Sequence, residues 1–392
     1  MRRVEIPKPD GGTRALGIAA IEDKIVQRAV CEQILDPIYE SEFAGFGYGF
    51  RPGRSAHGAP DAPACAVAAR SANWILEVDI EGYFDNIERE RLVSFPAMRI
   101  GDRRVLRLVR KRFGAGVPDA GLHVDPARGT PQGAPISPLL ADAYLHEVLD
   151  ERFARERRPR RARGEAYPIR YADDFVLGFR YRADAVRFLA DAKGRLAGHG
   201  LELHPDETRL VEFGRRAAYR CRLRGEGRPS TFDFLGLTHY RRTTRRGRFG
   251  PGRKPASGRM QRTLAAIKLA LRRRLHDDPE QTAIWPGLVL GGWLGYFAVP
   301  ARFKHLRRFR RALRRMRLRS LRRRSQRQRI ARDRADAPSA RFRPETRMLH
   351  PWPDARFAVD RLRQEPGALT RTPGSVRGEI GDGLPYREFS RR

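Results

Sequence analysis

Residues 169–179, IRYADDFVLGF, place two adjacent carboxylates between two apolar arms. This pattern predicts a β-hairpin with Asp173 and Asp174 at its turn. Adjacent carboxylates repel each other, and partial burial makes it costly to keep both charged. A tight turn can aim them outward, where a divalent cation offsets the repulsion. The alternative is an ordinary surface turn, since Asp-Asp pairs are common.

Asp79 interrupts a second apolar segment, residues 74–80, WILEVDI, which predicts a β-strand. An Asp in an apolar strand must be paired or must hold a metal ion. Two metal ions about 3.5–4 Å apart need carboxylates from separate segments, and Asp79 with Asp173 and Asp174 can supply them. Such ions suit phosphoryl transfer, in which one activates an attacking hydroxyl and the other holds a triphosphate. A paired structural Asp is the alternative.

Two further motifs could bind a nucleotide. Residues 129–133, GTPQG, predict a rigid turn that presents Gln132 and backbone N–H groups, although a plain loop is the alternative. Lys8 and Arg14 lie around a Gly-Gly turn in IPKPDGGTR, and two such cations can clamp phosphates. Taken alone, two exposed cations are the simpler interpretation of this pair.

The charge of the chain indicates a polyanionic partner. Its 392 residues include 80 Lys+Arg against 46 Asp+Glu, which gives a net charge of +34 and a pI near 11.3. Codon bias in a GC-rich genome enriches Arg, but it does not explain the excess over acids. Residues 301–330 carry fifteen Lys/Arg and no acid, on a helical apolar spacing. Phosphates of a nucleic acid can replace the missing opposite charges.

The remaining periodicity predicts a mixture of helices and strands. In residues 21–39 the apolar side of the predicted helix includes Ile25 and Val30. Residues 231–240 resemble a strand, and the Arg/Gly-rich residues 241–259 resemble a loop. Further helices are predicted over residues 101–113, 139–153, 183–198 and 260–330.

Composition also bears on cell location. The three cysteines, Cys31, Cys65 and Cys221, are scattered singly, which argues against a zinc site or disulfide framework and favours a reducing cytoplasm. The first residues lack the apolar segment of a signal peptide. Residues 283–300 are uncharged but short for a membrane span and contain proline and glycine. We expect a buried helix there and no membrane partner.

The order of the motifs resembles bacterial group II intron reverse transcriptases, also called intron maturases. The motifs are the Lys8 and Arg14 pair, GFRPGRSAH, DIEGYFDNI, GTPQGAPISPLLADAYLH, RYADDF and FDFLGLTHY. They cover residues 3 to about 240, and the likeness continues more loosely to about residue 330. The resemblance implies an α+β fold of the right-hand polymerase type, with fingers, a palm built on an antiparallel sheet, and a helical thumb.

The resemblance also implies domains, an activity and partners. Residues 1–240 would form fingers and palm, 241–259 a basic linker, 260–330 the thumb or maturase region, and 331–392 a poorly packed Pro/Arg-rich tail. The implied activity is RNA-directed DNA polymerisation with dNTPs and two Mg²⁺ ions, together with intron splicing. The implied partners are an RNA template, intron RNA, and a DNA primer or target.

Each implied site residue lies in one of the quoted motifs. Catalytic Mg²⁺ would be bound by Asp79, Asp173 and Asp174, with Ile80 among the metal-binding positions. Phe84 would be the steric gate that excludes a 2′-hydroxyl. The nucleotide would be bound by Lys8, Arg14, Phe84, Gln132 and Gly133. Primer and template would lie near Arg51, Arg54, Tyr171 and Ala172.

Several residues depart from the family pattern. Glu207 stands where a lysine, a candidate proton donor to pyrophosphate, is common before Thr208, and Asp142 stands where Asn is usual. Arg89 stands where histidine is usual. Pro60, Pro63 and Pro96 fall where the family runs helices, and a mid-helix proline costs about 3 kcal/mol. The helical N-terminal extension and the Cys/His cluster of an HNH endonuclease are also not found. Together these departures indicate a diverged or partly decayed copy, in which polymerisation can be weak or absent even though the three aspartates are intact.

Two alternatives to an active intron reverse transcriptase stay open. One is an RNA-binding splicing cofactor with weak or lost polymerase activity. The other is a retron-type or diversity-generating reverse transcriptase, which the basic region after FDFLGLTHY disfavours. Primer extension on an RNA template separates the first alternative from the enzyme.

Overall fold

The chain is described by a computed structural model. The described residues are 2–7, 13–69, 72–114, 117–119, 122–124, 129, 133–151, 153, 163–244, 247, 249–278, 280–300, 303–324 and 344–356.

The strands fall into four antiparallel groups. They are β1 (Arg2–Pro7), β2 (Thr13–Ile18), β3 (Trp74–Val78), β4 (Val117–Asp119), β5 (Leu122–Val124), β6 (Ala166–Tyr171), β7 (Asp174–Phe179), β8 (Arg209–Glu212), β9 (Phe232–Phe234), β10 (Leu237–Thr243) and β11 (Phe249–Pro255).

The helices lie before, between and after these strands. They are α1 (Ile21–Val30), α2 (Asp36–Glu40), α3 (Gly58–Ala69), α4 (Tyr83–Asn86), α5 (Arg89–Ala97), α6 (Arg103–Gly114), α7 (Ser137–Leu145), α8 (Arg182–Ala197), α9 (Ala217–Leu223), α10 (Ser257–Arg273), α11 (Gln281–Phe297), α12 (Lys304–Arg322) and α13 (Pro353–Arg356). The wider π turns Cys31–Leu35 and His146–Asp150 continue α1 and α7.

A four-stranded sheet in the order β6-β7-β3-β8 forms the centre of the molecule. Strand β3 pairs with β7 on one edge, in a register that ends at Val78↔Phe175, and with β8 on the other. Its last four residues are buried, as expected for a central strand covered on both faces. One apolar core, which includes Leu76 and residues of α5, α7 and α8, covers one face. A second core, with Ile75 and residues of α3 and β9, covers the other.

The helix predicted over residues 21–39 is present. Val30, predicted to be on the apolar side, is buried, whereas Ile25, predicted to be on the same side, is 64% exposed. The π turn at Cys31–Leu35 adds one residue to the helical turn that follows Val30 and includes the buried Leu35. The helices predicted over residues 101–113, 139–153 and 183–198 and the hairpin over residues 169–179 are confirmed within a few residues. The helical range 260–330 contains three helices up to Arg322, and residues 325–330 lie outside the described residues.

The strand predicted over residues 231–240 is confirmed, but it is divided into β9 and β10, because Leu235 (φ 48°) and Gly236 (φ 74°) turn the chain between them. The expectation that residues 241–259 are a loop is wrong for most of that range: β10 runs to Thr243 and pairs with β11 from Leu237↔Pro255 to Thr243↔Phe249. The pairing of extended Arg- and Gly-containing strands overrides a composition typical of loops. The division into domains stays a prediction.

Helices α10, α11 and α12 form a bundle with its own apolar core. Helix α12 buries Leu306, Phe309 and Leu313 on one side, as its spacing predicted. Helix α11 supplies Leu290 and Trp293, which confirms the expected buried helix in residues 283–300. Within the described residues, no helix has the length and apolar character needed to cross a bilayer.

The three unusual prolines all lie in helices. Pro60 is in the first turn of α3, where a backbone N–H has no partner within the helix. Pro63 is inside α3, and Pro96 is in the last turn of α5. Each of these two removes one helical hydrogen bond. Both helices nevertheless form, because their buried sides pack against the central sheet.

Part of the predicted tail is packed, contrary to expectation. Residues 344–356 lie against the helical bundle and α3. The backbone N–H of Leu349 donates to the carbonyl oxygen of Ala298 at 3.1 Å. His350 stacks on His57 with ring centroids 3.9 Å apart. Polar and aromatic contacts therefore hold a segment whose composition alone indicated a loose tail.

Candidate active site

Three carboxylates converge at one end of the central sheet. Asp79 directly follows β3, and Asp174 is the first residue of β7. Continued by one residue, the Val78↔Phe175 register sets Asp79 opposite Asp174, while Asp173 lies in the turn before β7. Asp79 and Asp173 are half-buried and Asp174 is exposed. The convergence predicted from residues far apart in the chain is therefore present.

These carboxylates raise one another's pKa. Burial, then the carboxylates of Glu207 and Asp173, raises the pKa of Asp79 to about 6. Desolvation in the cleft, then the carboxylates of Asp173 and Asp79, raises the pKa of Asp174 to about 7. Close like charges favour the protonated form, whereas a nearby cation favours the ionised form. The arrangement is therefore strained by its own charge near neutral pH and suited to binding a cation.

Glu207 adds a fourth carboxylate at the position where the resemblance led us to expect a lysine. Its segment runs beside the end of β3: the His204 N–H donates to the Asp79 carbonyl at 2.9 Å, and the Glu207 N–H donates to His204 Nδ1 at 3.3 Å. Glu207 contributes to the raised pKa of both Asp79 and Asp174. The cleft therefore carries more negative charge than the motif aspartates alone provide.

A buried ion-pair network supports the acidic turn. Arg170, at 1% exposure, pairs with Asp142 and Asp150. Its Nη1 also donates to the Ala172 carbonyl at 3.3 Å. Asp142, which departs from the family pattern, thus neutralises a buried guanidinium that would otherwise be costly. The network links α7 and the π turn after it to the turn that holds Asp173.

Gly49 lies directly against the same turn. Ala172 has φ of 55°, a left-handed conformation uncommon for a residue other than glycine. A Cβ built on Gly49 would lie 2.4 Å from the Ala172 backbone nitrogen. Tyr48 and Arg170 are hydrogen-bonded through their backbones at 2.8 Å, which holds this segment on β6. Only glycine therefore fits between the segment and the acidic turn.

Phe84, the predicted steric gate, lies on α4 beside Gly129. Phe84 is half-buried and packs on the main core. A Cβ on Gly129 would lie 3.4 Å from the Phe84 carbonyl oxygen, and the Gly129 N–H donates to Ile87 at 2.8 Å. Arg89 Nε donates to the Gly129 carbonyl at 2.8 Å, which gives this departure from the family pattern a structural partner. The start of GTPQG is thus fixed next to Phe84.

The other predicted nucleotide-binding residues are only partly described. Lys8 and Gln132 lie outside the described residues. Arg14 lies in β2, paired with β1. Gly133 has φ of 106°, and a Cβ there would lie 3.2 Å from the Gly17 carbonyl oxygen. The end of GTPQG therefore packs on the strand that carries Arg14, while the nucleotide-binding roles stay predictions.

The residues predicted near primer and template differ in their surroundings. Arg51 is buried, pairs with Glu40 and donates to two backbone carbonyl groups, so its guanidinium is engaged within the protein. The Arg54 guanidinium lies over the Tyr48 ring, 5.2 Å from its centroid. Tyr171 is half-buried at the end of β6. Their roles, like that of Ala172, stay predictions, as does metal binding at Ile80, which is buried and bridged to Leu203.

Two residues of the helical bundle reach the site, and the sequence analysis missed both. Arg259, in the first turn of α10, opposes the rise in the pKa of Asp174. A Cβ on Gly236 would lie 2.9 Å from Arg259 Nε. Tyr296 Oη donates to the Leu235 carbonyl at 2.8 Å, and its pKa is raised by burial, with Asp174 contributing. Arg259 is one of many arginines and Tyr296 lies in an apolar helix, so neither residue stands out in the sequence. The only nearby sequence signal is the FLGL turn, residues 234–237, which both residues approach.

The donor set fits hard divalent cations. Asp79, Asp173, Asp174 and Glu207 offer carboxylate oxygens, the ligands that Mg²⁺, Mn²⁺ and Ca²⁺ prefer. Their mutual repulsion, visible in the raised pKa values of Asp79 and Asp174, is what a bound cation would relieve.

A second cluster with metal-ligand chemistry lies elsewhere among the described residues. Possible ligand atoms of Glu42, His146 and Glu147 all lie within 4.8 Å of one another. Arg99, however, forms ion pairs with both Glu42 and Glu147. Arg99 therefore neutralises one of the two negative charges and contacts both carboxylates, and the cluster is explained as a partly buried ion-pair network.

Several known proteins are similar to this chain. The protein YkfC of Escherichia coli is 37% identical over 240 residues, which are 53% of this chain and 62% of YkfC. The group II intron-encoded protein LtrA of Lactococcus lactis is 39% identical over 152 residues, 38% of this chain and 24% of LtrA. The chain thus spans less than two thirds of these curated relatives. A solved structure of telomerase from Candida albicans, in complex with a fragment of telomeric RNA, is also similar. The match covers 93% of this chain and 61% of that chain, with a TM-score of 0.45 and 13% sequence identity, and this similarity carries no argument about function.

One family matches most of the part of the chain that forms the central sheet and the two apolar cores on its faces. Residues 6–239 match the family described as reverse transcriptase (RNA-dependent DNA polymerase). The match includes Asp79, Asp173 and Asp174 and ends within β10. The α+β architecture, with an antiparallel sheet and a following helical bundle, agrees with the right-hand polymerase fold of that family. The chain belongs to the reverse transcriptase family.

Proposed function

We propose that the protein is an RNA-directed DNA polymerase of a group II intron, which adds dNTPs to a primer 3′-hydroxyl with two Mg²⁺ ions and takes part in intron RNA splicing. The observation that carries this proposal is the β3–β7 register, which sets Asp79 opposite Asp174 and next to Asp173. The similarity to an intron-encoded protein supports the intron assignment. The three cysteines are buried thiols, which supports a reducing, cytoplasmic location.

The chain's own residues account for binding and positioning in this proposal. Asp79, Asp173 and Asp174 hold the two ions and must be ionised to do so. When bound, the ions would activate the 3′-hydroxyl and neutralise charge that develops on the triphosphate. Phe84, held against Gly129, limits the space at the sugar. Arg259 partly balances the charge of Asp174 from the helical bundle.

The RNA partner is supported by the charge distribution. The net charge is +34, and helix α12 exposes Arg and Lys along the side opposite its buried apolar residues. A cationic surface of this kind binds nucleic acid by releasing counterions from phosphates. The template and the intron RNA are therefore the partners that this surface suits.

Magnesium-dependent primer extension on a primed RNA template tests the proposal. The wild type should incorporate dNTPs, and Asp173→Ala should lower the rate by roughly a hundred-fold or more, because a shared metal ligand is lost. The matched control is Asp191→Ala, which removes an exposed carboxylate of α8 and should extend like the wild type. RNA binding, measured by fluorescence anisotropy, should survive Asp173→Ala. Absence of extension by the folded wild type over a range of Mg²⁺ and Mn²⁺ concentrations would reject the enzyme.

One observation favours a second candidate, an RNA-binding splicing cofactor with weak or lost polymerase activity. Glu207 brings a fourth negative charge to a cleft that must bind a polyanionic triphosphate. A wild type that promotes splicing of its intron RNA but does not extend primers would support this candidate over the polymerase.

A further inference from the structure

A strongly basic groove lies between the end of β10, helix α12 and residues 344–356. Its volume is about 1350 Å³. Six cations line it, and no acid is found among the described residues of its lining. The cations are Arg242, Lys304, Arg307, Arg308, Arg311 and Arg315.

The cations on α12 form a continuous row. Lys304, Arg308, Arg311 and Arg315 follow one another at steps of four, three and four residues, so they share one side of the helix. Eleven residues of helix make this row about 16 Å long. The opposite side of α12 is fixed by Phe309 and its apolar neighbours in the bundle core, so the row has a rigid support.

The third wall of the groove adds an exposed aromatic surface. Trp352 is 44% exposed, and the Arg242 guanidinium lies 5.1 Å from its ring centroid. Phe303 and Met348 also line the groove. The wall is anchored to the bundle, since the Leu349 N–H donates to the carbonyl oxygen of Ala298 at 3.1 Å. An exposed tryptophan beside arginines is held ready to stack on a planar ligand.

We propose that this groove binds an unpaired nucleic-acid strand, with the phosphates on the α12 cations and a base stacked on Trp352. A duplex hides its base faces and would use only the cations. A peptide made of acidic residues alone would likewise present no flat ring to stack on the aromatic surface. Unpaired strands, in contrast, are bound by basic grooves combined with aromatic stacking platforms. The choice of RNA as the ligand rests on the proposed function. The groove itself does not depend on that function, because its residues are distinct from those of the acidic cleft.

Binding to the full chain, in EDTA so that metal-dependent chemistry is silent, tests the groove. The probe is a fluorescein-labelled unstructured RNA 12-mer, followed by anisotropy. Trp352→Ala should weaken binding roughly ten-fold, the size of one stacked base, and Trp352→Phe should restore most of it. The matched control Tyr219→Ala removes another exposed aromatic, on α9, and should bind like the wild type.

The phosphate contacts are tested by salt dependence. Arg311→Gln should lower the slope of log affinity against log salt by about 0.7, the value for one phosphate contact to a single strand. Arg319→Gln removes an exposed cation from the same helix, outside the groove, and should leave the slope unchanged.

Intrinsic fluorescence guards against misfolded variants. RNA should quench the wild type, and Trp352→Phe should lose that quenching although Trp74, Trp285 and Trp293 remain. Tighter binding of the RNA 12-mer than of the same DNA sequence assigns the groove to RNA, and the reverse assigns it to a DNA strand. Equal affinity of Trp352→Ala and the wild type, or equal Trp352-dependent binding of duplex RNA or of poly-glutamate, would overturn the proposal. Primer extension on a short template is measured separately. A protein without polymerase activity would therefore still give an interpretable result for strand binding to the groove.

Discussion

At the scale of single residues, the acidic cleft is governed by desolvation and by repulsion among carboxylates that the fold holds together. The pKa of Asp79 is raised to about 6 and that of Asp174 to about 7, both by desolvation in the cleft first and by neighbouring carboxylates second. At pH values near and below these pKa values, the carboxyl groups hold protons that a bound cation must displace. Proton and metal therefore compete for the same oxygens.

This competition predicts a pH dependence of metal affinity. Because the folded-state pKa values are raised, both carboxyl groups are protonated well below pH 6 and ionised above pH 7. The apparent affinity for Mg²⁺ should therefore increase as pH rises from about 5.5 to about 7.5 and then level off. This apparent affinity is measured by titrating Mg²⁺ in primer-extension assays at a series of pH values. An apparent Mg²⁺ affinity that stays constant across this range would contradict the raised pKa values.

Glu207→Gln gives a second prediction, specific to the fourth carboxylate. Removal of its charge should lower the pKa of Asp79 and Asp174, so the midpoint of the pH profile should move to lower pH by a fraction of a unit. Asp206→Asn removes an exposed carboxylate one residue earlier and serves as the control. A midpoint that moves equally in both variants would assign the effect to general surface charge.

At the scale of secondary-structure elements, the β6–β7 hairpin depends on a neighbour that has no side chain. The segment before α3 crosses the acidic turn at Gly49, and its backbone hydrogen bonds to β6 hold it there. Arg170 also supports the hairpin, through its ion pairs with Asp142 and Asp150. The position of Asp173 and Asp174 is thus set by contacts from two other parts of the chain.

Gly49→Ala should therefore impair the site. A Cβ 2.4 Å from the Ala172 backbone forces the segment or the acidic turn to move. Displacements of about 1 Å near reacting groups can cost roughly a hundred-fold in rate. We expect a loss of primer extension of that order and a stability loss of about 1–3 kcal/mol from overpacking, measured by chemical denaturation. Gly101→Ala, where the added Cβ meets no atom within 4 Å, is the control. Unchanged extension by Gly49→Ala would show that the turn is not held by this contact.

At the scale of the whole molecule, residues 344–356 join the helical bundle to the rest of the protein. His350 Nε2 lies 2.7 Å from the Gly295 carbonyl of α11, and its ring stacks on His57. Arg356 pairs with Asp61 of α3, which also pairs with Arg253 of β11. Elements from four parts of the sequence thus meet at one buried polar junction.

The junction should weaken in acid. Burial, then the neighbouring charge of His57, lowers the pKa of His350 to about 4, and burial also lowers the pKa of His57. A histidine with a lowered folded-state pKa binds a proton more readily in the unfolded state. The free energy of unfolding therefore falls as pH decreases from about 6.5 towards 4 and then levels off. Asp61 opposes the lowering of the His57 pKa, whereas Arg253 and Arg356 lower the pKa of both His57 and His350. Thermal unfolding at pH 7 and pH 5 should show a smaller decrease for His350→Ala than for the wild type. His276→Ala, at an exposed position, should behave like the wild type, and an equal decrease in all three proteins would exclude the junction as the cause.

The sequence by itself determined the local elements of the site and their chemistry. Alternation and apolar arms predicted the β3 strand and the β6–β7 hairpin, because a buried face imposes a period of two on a strand. A charge inside such a strand predicted that Asp79 has a function, because an unpaired buried carboxylate is too costly to persist without one.

Only the tertiary structure decided what surrounds those carboxylates. Arg259 and Tyr296 act on the cleft from segments whose own composition is ordinary, since proximity across the chain leaves no periodic signal. The same holds for the pairing of β10 with β11 and for the docking of residues 344–356. In each case the stabilising partner is distant in sequence. The interactions that fix the structure therefore leave no signal in the local sequence pattern.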